Sequence, residues 1–452
     1  MNSALFFDLL ASITERGRNL LSRRSFPLER SQAAAGLIEL CEALLSRRGE
    51  ASGTALAAEI LDRYLDLDEQ GRLSLFEAFA ERFGPDRERL RKAADQWLAD
   101  PVGTDAGDLH YYSEARRQEL FRRLNRAPGG THALVRMRAD LLALVSQHKS
   151  LAPVDRDFVH LLSSWFNRGF LVLRRIDWST PAIVLEKIIR YEAVHEIRDW
   201  ADLRRRIDPL DRRCYGFFHP ALIDEPLIFV EVALTQAIPQ AIAPLLVEDR
   251  PPVSLDHART AVFYSISNCQ RGLASITFGN FLIKQVVEDL RREVPTLDSF
   301  VTLSPVPGFM RWLKQGEGVP LSEENRSLVE ALDRSDWHED SELADRLRRV
   351  IEPIAAHYYL KAKRQDGRPV DSVARFHLGN GARLERIDWL GDLSAKGLRD
   401  GAGLMVNYLY DLEHIEENHE AYANQGEVVA ANAIKKLLKP EPRSRFTLPM
   451  AN

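Results

Sequence analysis

Cysteine is scarce in this chain: three occur in 452 residues, Cys41, Cys214 and Cys269, far apart and in no C-x-x-C pair. That excludes a disulfide framework and a Cys-based structural zinc, and it fits a reducing compartment. No apolar run approaches the ~20 residues that a membrane span needs. A sustained basic excess is missing too. The 61 Lys and Arg against 66 Asp and Glu give a formal net charge of -5, which argues against a nucleic-acid binder that must neutralise phosphates. Several catalytic signatures are absent: G-x-S-x-G, G-x-x-x-x-G-K-[ST], His-Glu-x-x-His, and G-x-G-x-x-G between a strand and a helix. Serine hydrolysis on a nucleophile elbow, nucleotide hydrolysis, dinucleotide binding and helical zinc chemistry therefore lose support, and no metal is expected. His414 and His419, inside the acidic segment Glu413 to Glu420, are spaced so that a helix turns them apart. A solvated acidic turn is expected there.

What is present divides into two textures. Up to about Gln147, apolar residues recur at helical spacing, as in Leu37, Ile38, Cys41, Leu44 and Leu45, with charges between them and breaks at Pro27, Gly49, Gly84-Pro85 and Pro128-Gly129-Gly130. The reading is a helical bundle over residues 1–160, used for packing or self-association. From residue 161 to 452, β-rich runs alternate with helical ones, which predicts an α/β or α+β domain with a mixed sheet. Strands are expected at Phe170 to Leu173, Cys214 to Phe218, Leu227 to Leu234, Val262 to Ile266, Phe300 to Leu303, Arg375 to Leu378 and Arg383 to Trp389. Helices are expected at Thr180 to Val194, Gly279 to Glu293, Glu323 to Leu332, Ser341 to Leu360 and Gly426 to Leu438. The N-terminal stretch, with acids at Asp8 and Glu15, reads as an amphipathic helix rather than a secretion signal. Leu448 to Asn452 is no organelle address, so cytoplasm is the expected compartment.

The most informative run is Ala261 to Phe309, which reads as strand, glycine-punctuated turn, helix and strand. A turn carrying Gly272 and Gly279 before a helix suits an anion, because a backbone without Cβ approaches closely and a helix start offers unpaired N-H groups. The run closes on Ser304, a hydroxyl at the end of a strand, followed by Pro305-Val306-Pro307-Gly308. His377 lies in a β-like run that ends in the turn signature Gly379-Asn380-Gly381.

Four blocks in order, FYSISNCQRGLASITFGNFLIKQ (263 to 285), LSPVPGF (303 to 309), FHLGNGARLERIDW (376 to 389) and GLMVNYLY (403 to 410), resemble the signature blocks of the malonyl-CoA decarboxylases. The resemblance implies an all-helical N-terminal domain, a catalytic domain of the N-acetyltransferase (GNAT) fold, and conversion of malonyl-CoA to acetyl-CoA and carbon dioxide without a cofactor. It also implies Ser304 as proton acceptor and His377 as proton donor, with CoA held along Ala274, Ser275, Ile276, Thr277, Phe278, Gly279 and Asn280. Many relatives place a glutamate where Thr277 stands, and a threonine cannot act as an acid-base group there. The implied partners are malonyl-CoA and acetyl-CoA, with no nucleic acid and no membrane. A homo-oligomer, dimer or tetramer, is expected through the helical domain. Two other readings remain open on the residues: an acyl-CoA N-acyltransferase and a non-catalytic CoA-binding scaffold.

Overall fold

The computed structural model describes residues 33–46, 49–276, 282–316 and 322–438. The N-terminal amphipathic helix and the C-terminal residues read above lie outside them. The chain separates into two compact units. One holds the described residues of Met1–Val172, Phe218–Leu227 and Asn268–Gly279, and the other Leu173–Phe217, Ile228–Ser267 and Asn280–Asn452.

The first unit is built mainly of helices, among them Ala33–Leu45, Glu50–Leu65, Glu69–Glu81, Arg116–Leu124, Gly130–Val145 and Ala152–Trp165. Local sequence starts them: Asp68 and Asp86 cap their helices by accepting from the N-H groups of Gly71 and Arg89. Their apolar faces meet in an aromatic core. Phe79 lies 5.8 Å from Phe83 and 5.5 Å from Phe121, and Phe121 stacks on Phe158 at 4.2 Å. Each ring removed from water contributes roughly 1.5–3 kcal/mol. Arg117 enters the same interior and is held by Asp157 at 2.5 Å.

Among the described residues one mixed sheet, with all but a few of its strand-end residues in the second unit, is formed by β1 (Val172–Ile176), β2 (Arg212–Phe218), β3 (Pro226–Thr235), β4 (Thr260–Asn268), β5 (Ser299–Thr302), β6 (Ser304–Pro305), β7 (Arg383–Asp388) and β8 (Met405–Leu409). The order is β1-β2-β3-β4-β5-β8-β6, with β7 also on β8. β4 and β5 are parallel, joined through the helix Leu282–Glu293, whose buried Leu282, Ile283, Val286, Val287 and Leu290 form one stripe. Alternation along β4 separates two faces. Val262 and Tyr264 join Ala233, Leu245, Val301, Leu303 and Met405 in an apolar core, while Phe263 faces the other way, 6.3 Å from Tyr410.

Four expectations are corrected. Arg375 to Leu378 is not a strand but part of the helix Ser372–Gly379, capped by Asp371. Ala374, His377 and Leu378 are buried while Phe376 is exposed, and that i, i+3, i+4 pattern is helical; four residues were too few to separate it from alternation. Glu413 to Glu420 belongs mostly to the helix Ile415–Gln425, with Glu416 and Glu417 in the first turn, where the helix dipole favours acids. Gly426 ends that helix in a left-handed conformation (φ 66°), so the helix expected from Gly426 shrinks to Asn432–Leu437. The first expected strand also shifts: Arg168–Phe170 is a 3-10 turn, and β1 starts at Val172.

Candidate active site

Ser304 is where the sheet changes partner. β5 runs beside β4 as far as Phe263↔Thr302, and Leu303 still donates its N-H to the Phe263 carbonyl at 3.0 Å. The next residues pair elsewhere, Ser304 with Val406 and Pro305 with Met405 of β8. The two parallel strands thus part beyond Phe263, and Ser304 sits at the parting. On β4 past that point, the Ser265 and Ser267 hydroxyls donate to the Glu192 carboxylate at 2.7 and 3.2 Å. Glu192 also accepts the N-H groups of Val194 and His195 at 2.7 and 2.8 Å, which fixes the polar end of the strand.

His377 comes from the short helix Ser372–Gly379. Its Nε2 is 3.3 Å from Ser304 Oγ, and its Nδ1 is 2.8 Å from the Tyr410 hydroxyl. The Ser304 hydroxyl donates to Thr302 Oγ1 at 2.9 Å, and Thr302 Oγ1 also accepts from the Tyr408 N-H at 3.2 Å. If Ser304 gives its hydrogen to Thr302, Nε2 must be the protonated ring nitrogen and Nδ1 the acceptor from Tyr410; this tautomer is assigned from the bonding pattern. The result is one directional chain from Tyr410 through His377 and Ser304 to Thr302.

The ring of His377 lies flat on Tyr408, centroids 4.6 Å apart and planes 25° from parallel. All members are buried, with His377 3% and Ser304 5% exposed. Burial alone pushes the imidazole down to about 3, so His377 is neutral at pH 7. It raises the Tyr410 phenol well above its usual value, so the resting phenol is neutral. A neutral, desolvated serine, histidine and tyrosine in line can orient a polar group and hand on a proton.

The remaining sequence candidates fall differently. Ala274, Ser275 and Ile276 belong to the first unit, and Thr277, Phe278, Gly279 and Asn280 lie outside the described residues. In the described part of the turn, Gly272 serves packing: a Cβ there would stand 1.8 Å from the Val135 carbonyl oxygen. Arg138, 1% exposed, donates to the carbonyls of Gly272 and Ala274 at 2.7 and 2.8 Å. Ser275 takes the left-handed conformation, φ 66°, unusual for a residue with a side chain. His414 pairs with Asp411 and His419 with the Gly379 carbonyl. Among the described residues no three His, Cys, Asp or Glu converge as metal ligands would.

Sequence reasoning assigned no role to Thr302, Tyr408 or Tyr410. Both tyrosines stand in the GLMVNYLY block, but the partners that give them roles lie far along the chain, so no local signal marked them.

With this geometry in hand, comparison with known proteins is specific. The family of malonyl-CoA decarboxylase C-terminal domains matches residues 169–447, and that of the N-terminal domains matches residues 83–166. The chain is 35% identical over 415 residues to a protein named malonyl-CoA decarboxylase, mitochondrial, from Anser anser anser, covering 84% of this chain and 82% of the relative. The namesake from Rattus norvegicus is 37% identical over 361 residues, covering 73% and 72%. A crystal structure of malonyl-CoA decarboxylase from Rhodopseudomonas palustris superposes with TM-score 0.86 at 58% identity, over 91% of this chain and all (100%) of that one. The one from Cupriavidus metallidurans gives TM-score 0.68 at 34% identity, over 90% and 100%.

Proposed function

The chain belongs to the malonyl-CoA decarboxylase family of carboxy-lyases, and from that premise we propose that it converts malonyl-CoA to acetyl-CoA and carbon dioxide on Ser304 and His377. The observation that carries this reading is the buried 3.3 Å pairing of Ser304 Oγ with His377 Nε2. The substrate brings its own electron sink. When the bond between the α-carbon and the carboxylate breaks, the electron pair delocalises onto the thioester oxygen as an enolate, and the α-carbon then takes a proton. The protein has to orient the carboxylate out of the thioester plane, stabilise the enolate and supply that proton. One oriented donor to a developing oxyanion contributes about 10² to 10³ in rate, and one general acid about 10² to 10⁴.

In this reading Ser304 orients the malonyl group; as the relay resets, it passes its hydrogen to His377 Nε2 and accepts one from solvent, while Nδ1 returns its proton to Tyr410. His377 delivers Nε2-H to the enolate carbon. A neutral imidazole that loses Nε2-H would become an anion unless Nδ1 gains a proton in the same event. Tyr410, 2.8 Å from Nδ1, is the donor that supports such a transfer. One solvent proton per turnover restores the chain. We further propose that the turn over residues 274–280 holds the CoA phosphates, so that Ser275→Val, which its left-handed φ disfavours, raises KM for malonyl-CoA. The proposed domain limits are 1–160 and 161–452, with homo-oligomers forming through the helical part; a monomer by light scattering would contradict that. Among the described residues no helix is long and apolar enough to cross a membrane. Cytoplasm is the proposed compartment, although the curated relatives are named mitochondrial, and cell fractionation decides it.

The test is to incubate the purified protein with malonyl-CoA alone, with chelator and no ATP, and to follow carbon dioxide and acetyl-CoA. Equal release of both supports decarboxylation. Acyl transfer that appears only on adding amines, or binding without carbon dioxide, would replace this reading by an N-acyltransferase or a scaffold.

A further inference from the structure

Ser304 and His377 come from separate elements, and a second set of side chains fixes both. Asp371, 1% exposed, caps the His377 helix: its Oδ1 accepts the Ala374 N-H at 2.7 Å. Its Oδ2 accepts the Tyr358 hydroxyl at 3.2 Å. Tyr358 stands on the long helix Ser341–Leu360, fully buried, with its ring 5.6 Å from Phe309 and 4.9 Å from Trp312.

The hydroxyl of Tyr358 occupies the space that Gly308 leaves. A Cβ on Gly308 would lie 2.8 Å from that oxygen and 4.0 Å from Asp371 Oδ2. The backbone of Gly308 is ordinary (φ -105°, ψ -10°), so glycine is needed here for room rather than for conformation. Gly308 ends the Ser304-Pro305-Val306-Pro307 segment, whose prolines stiffen the path back to Ser304. Arg375, next along the His377 helix, is committed to the Pro369 and Val370 carbonyls at 2.8 and 2.7 Å, which anchors the chain entering Asp371. A helix of eight residues is marginal without such a cap.

We propose that Asp371 is a positioning residue of the reaction: through Tyr358 it locks the loop carrying Ser304 to the helix carrying His377 and so sets their separation. The proposal deepens the reading of the site given above and rests on it. A misplacement of about 1 Å between reacting groups costs up to about 10²-fold in rate, so a loosened lock acts on turnover rather than on CoA binding.

The experiment compares wild type, Tyr358→Phe, Asp371→Ser, Gly308→Ala and the Gly308→Ala/Tyr358→Phe double variant. It reads kcat and KM for malonyl-CoA, together with the ¹H–¹⁵N signals of the His377 ring. Phe keeps the ring packing and removes only the hydroxyl, and Ser keeps a capping oxygen but cannot reach Tyr358. Both are expected to lower kcat about tenfold with KM within about twofold, and to move the His377 signals. Gly308→Ala lowers kcat further, and the double variant recovers to the Tyr358→Phe level, because the oxygen that the new methyl strikes is gone. Wild-type kcat and unmoved ring signals in Tyr358→Phe and Asp371→Ser, or a double variant no better than Gly308→Ala, would overturn the proposal. If wild type releases no carbon dioxide, the decarboxylase reading fails, while the ring signals still decide whether the lock exists.

Discussion

Gly272 and Gly308 look alike in the sequence, each in a short signature run beside a polar candidate, yet they sit in different units and meet different neighbours. A Cβ on Gly272 would strike the Val135 backbone carbonyl at 1.8 Å, whereas on Gly308 it would meet the end of the Tyr358 side chain at 2.8 Å. The first neighbour cannot move without the helix Gly130–Val145; the second can be deleted by one atom. Around Gly272 the polar groups are consumed by packing, with Arg138 spent on the Gly272 and Ala274 carbonyls and on Asp155. Around Ser304 they are strung in one direction through His377 to Tyr410. A glycine-rich motif therefore does not by itself distinguish a ligand cradle from a tight joint. The atom facing the missing Cβ does.

The largest effect should come from the chemical side of this contrast. His377→Asn is expected to lower kcat by about 10² to 10⁴ with little change in KM; equal losses in turnover and CoA binding would remove its role as donor. Next comes the packing side. Gly272→Ala should destabilise the fold by about 3 kcal/mol or more, because overpacking against backbone has no side chain to displace, and a lowered urea midpoint at constant m-value reads it. An unchanged midpoint would mean that the turn is soft, and the contrast with Gly308 would collapse.

A smaller loss, about tenfold in kcat and so about 1.4 kcal/mol, is expected for Tyr410→Phe if the phenol supplies Nδ1. Full activity would shorten the relay to Ser304 and His377. The last test predicts almost no change. With the folded His377 held near 3, its ring signals should stay those of neutral imidazole from pH 8 to pH 5. Because the unfolded imidazole titrates near 6.5, the unfolded state binds the extra proton below that pH. This histidine's contribution to stability is thus present above about 6.5 and lost progressively as pH falls toward 3. A ring titration midpoint near 6.5 would show that the site is wetter than its geometry implies.

Much of this was legible in the residues. The short apolar run Val262 to Ile266 folds as a strand and the stripe from Leu282 to Leu290 as a helix, as read. Ser304 could be picked out because a strand-end serine before two prolines is locally distinctive. His377 could be named but not placed, since Arg375 to Leu378 is too short for its period to be told and the deciding residue, Asp371, lies outside that run. Thr302, Tyr408, Tyr410 and Tyr358 were invisible because their roles depend on partners far along the chain, as with Tyr410 reaching His377. Strand pairing and helix capping create those relations, and no local motif encodes them.

The central claim is that Ser304 and His377 act as one unit in decarboxylation. It is tested most directly by kcat for malonyl-CoA in Ser304→Ala, His377→Asn and the double variant. Groups that work as a unit lose their contribution once, so the double variant should be no slower than the worse single one. Losses that multiply would contradict the account.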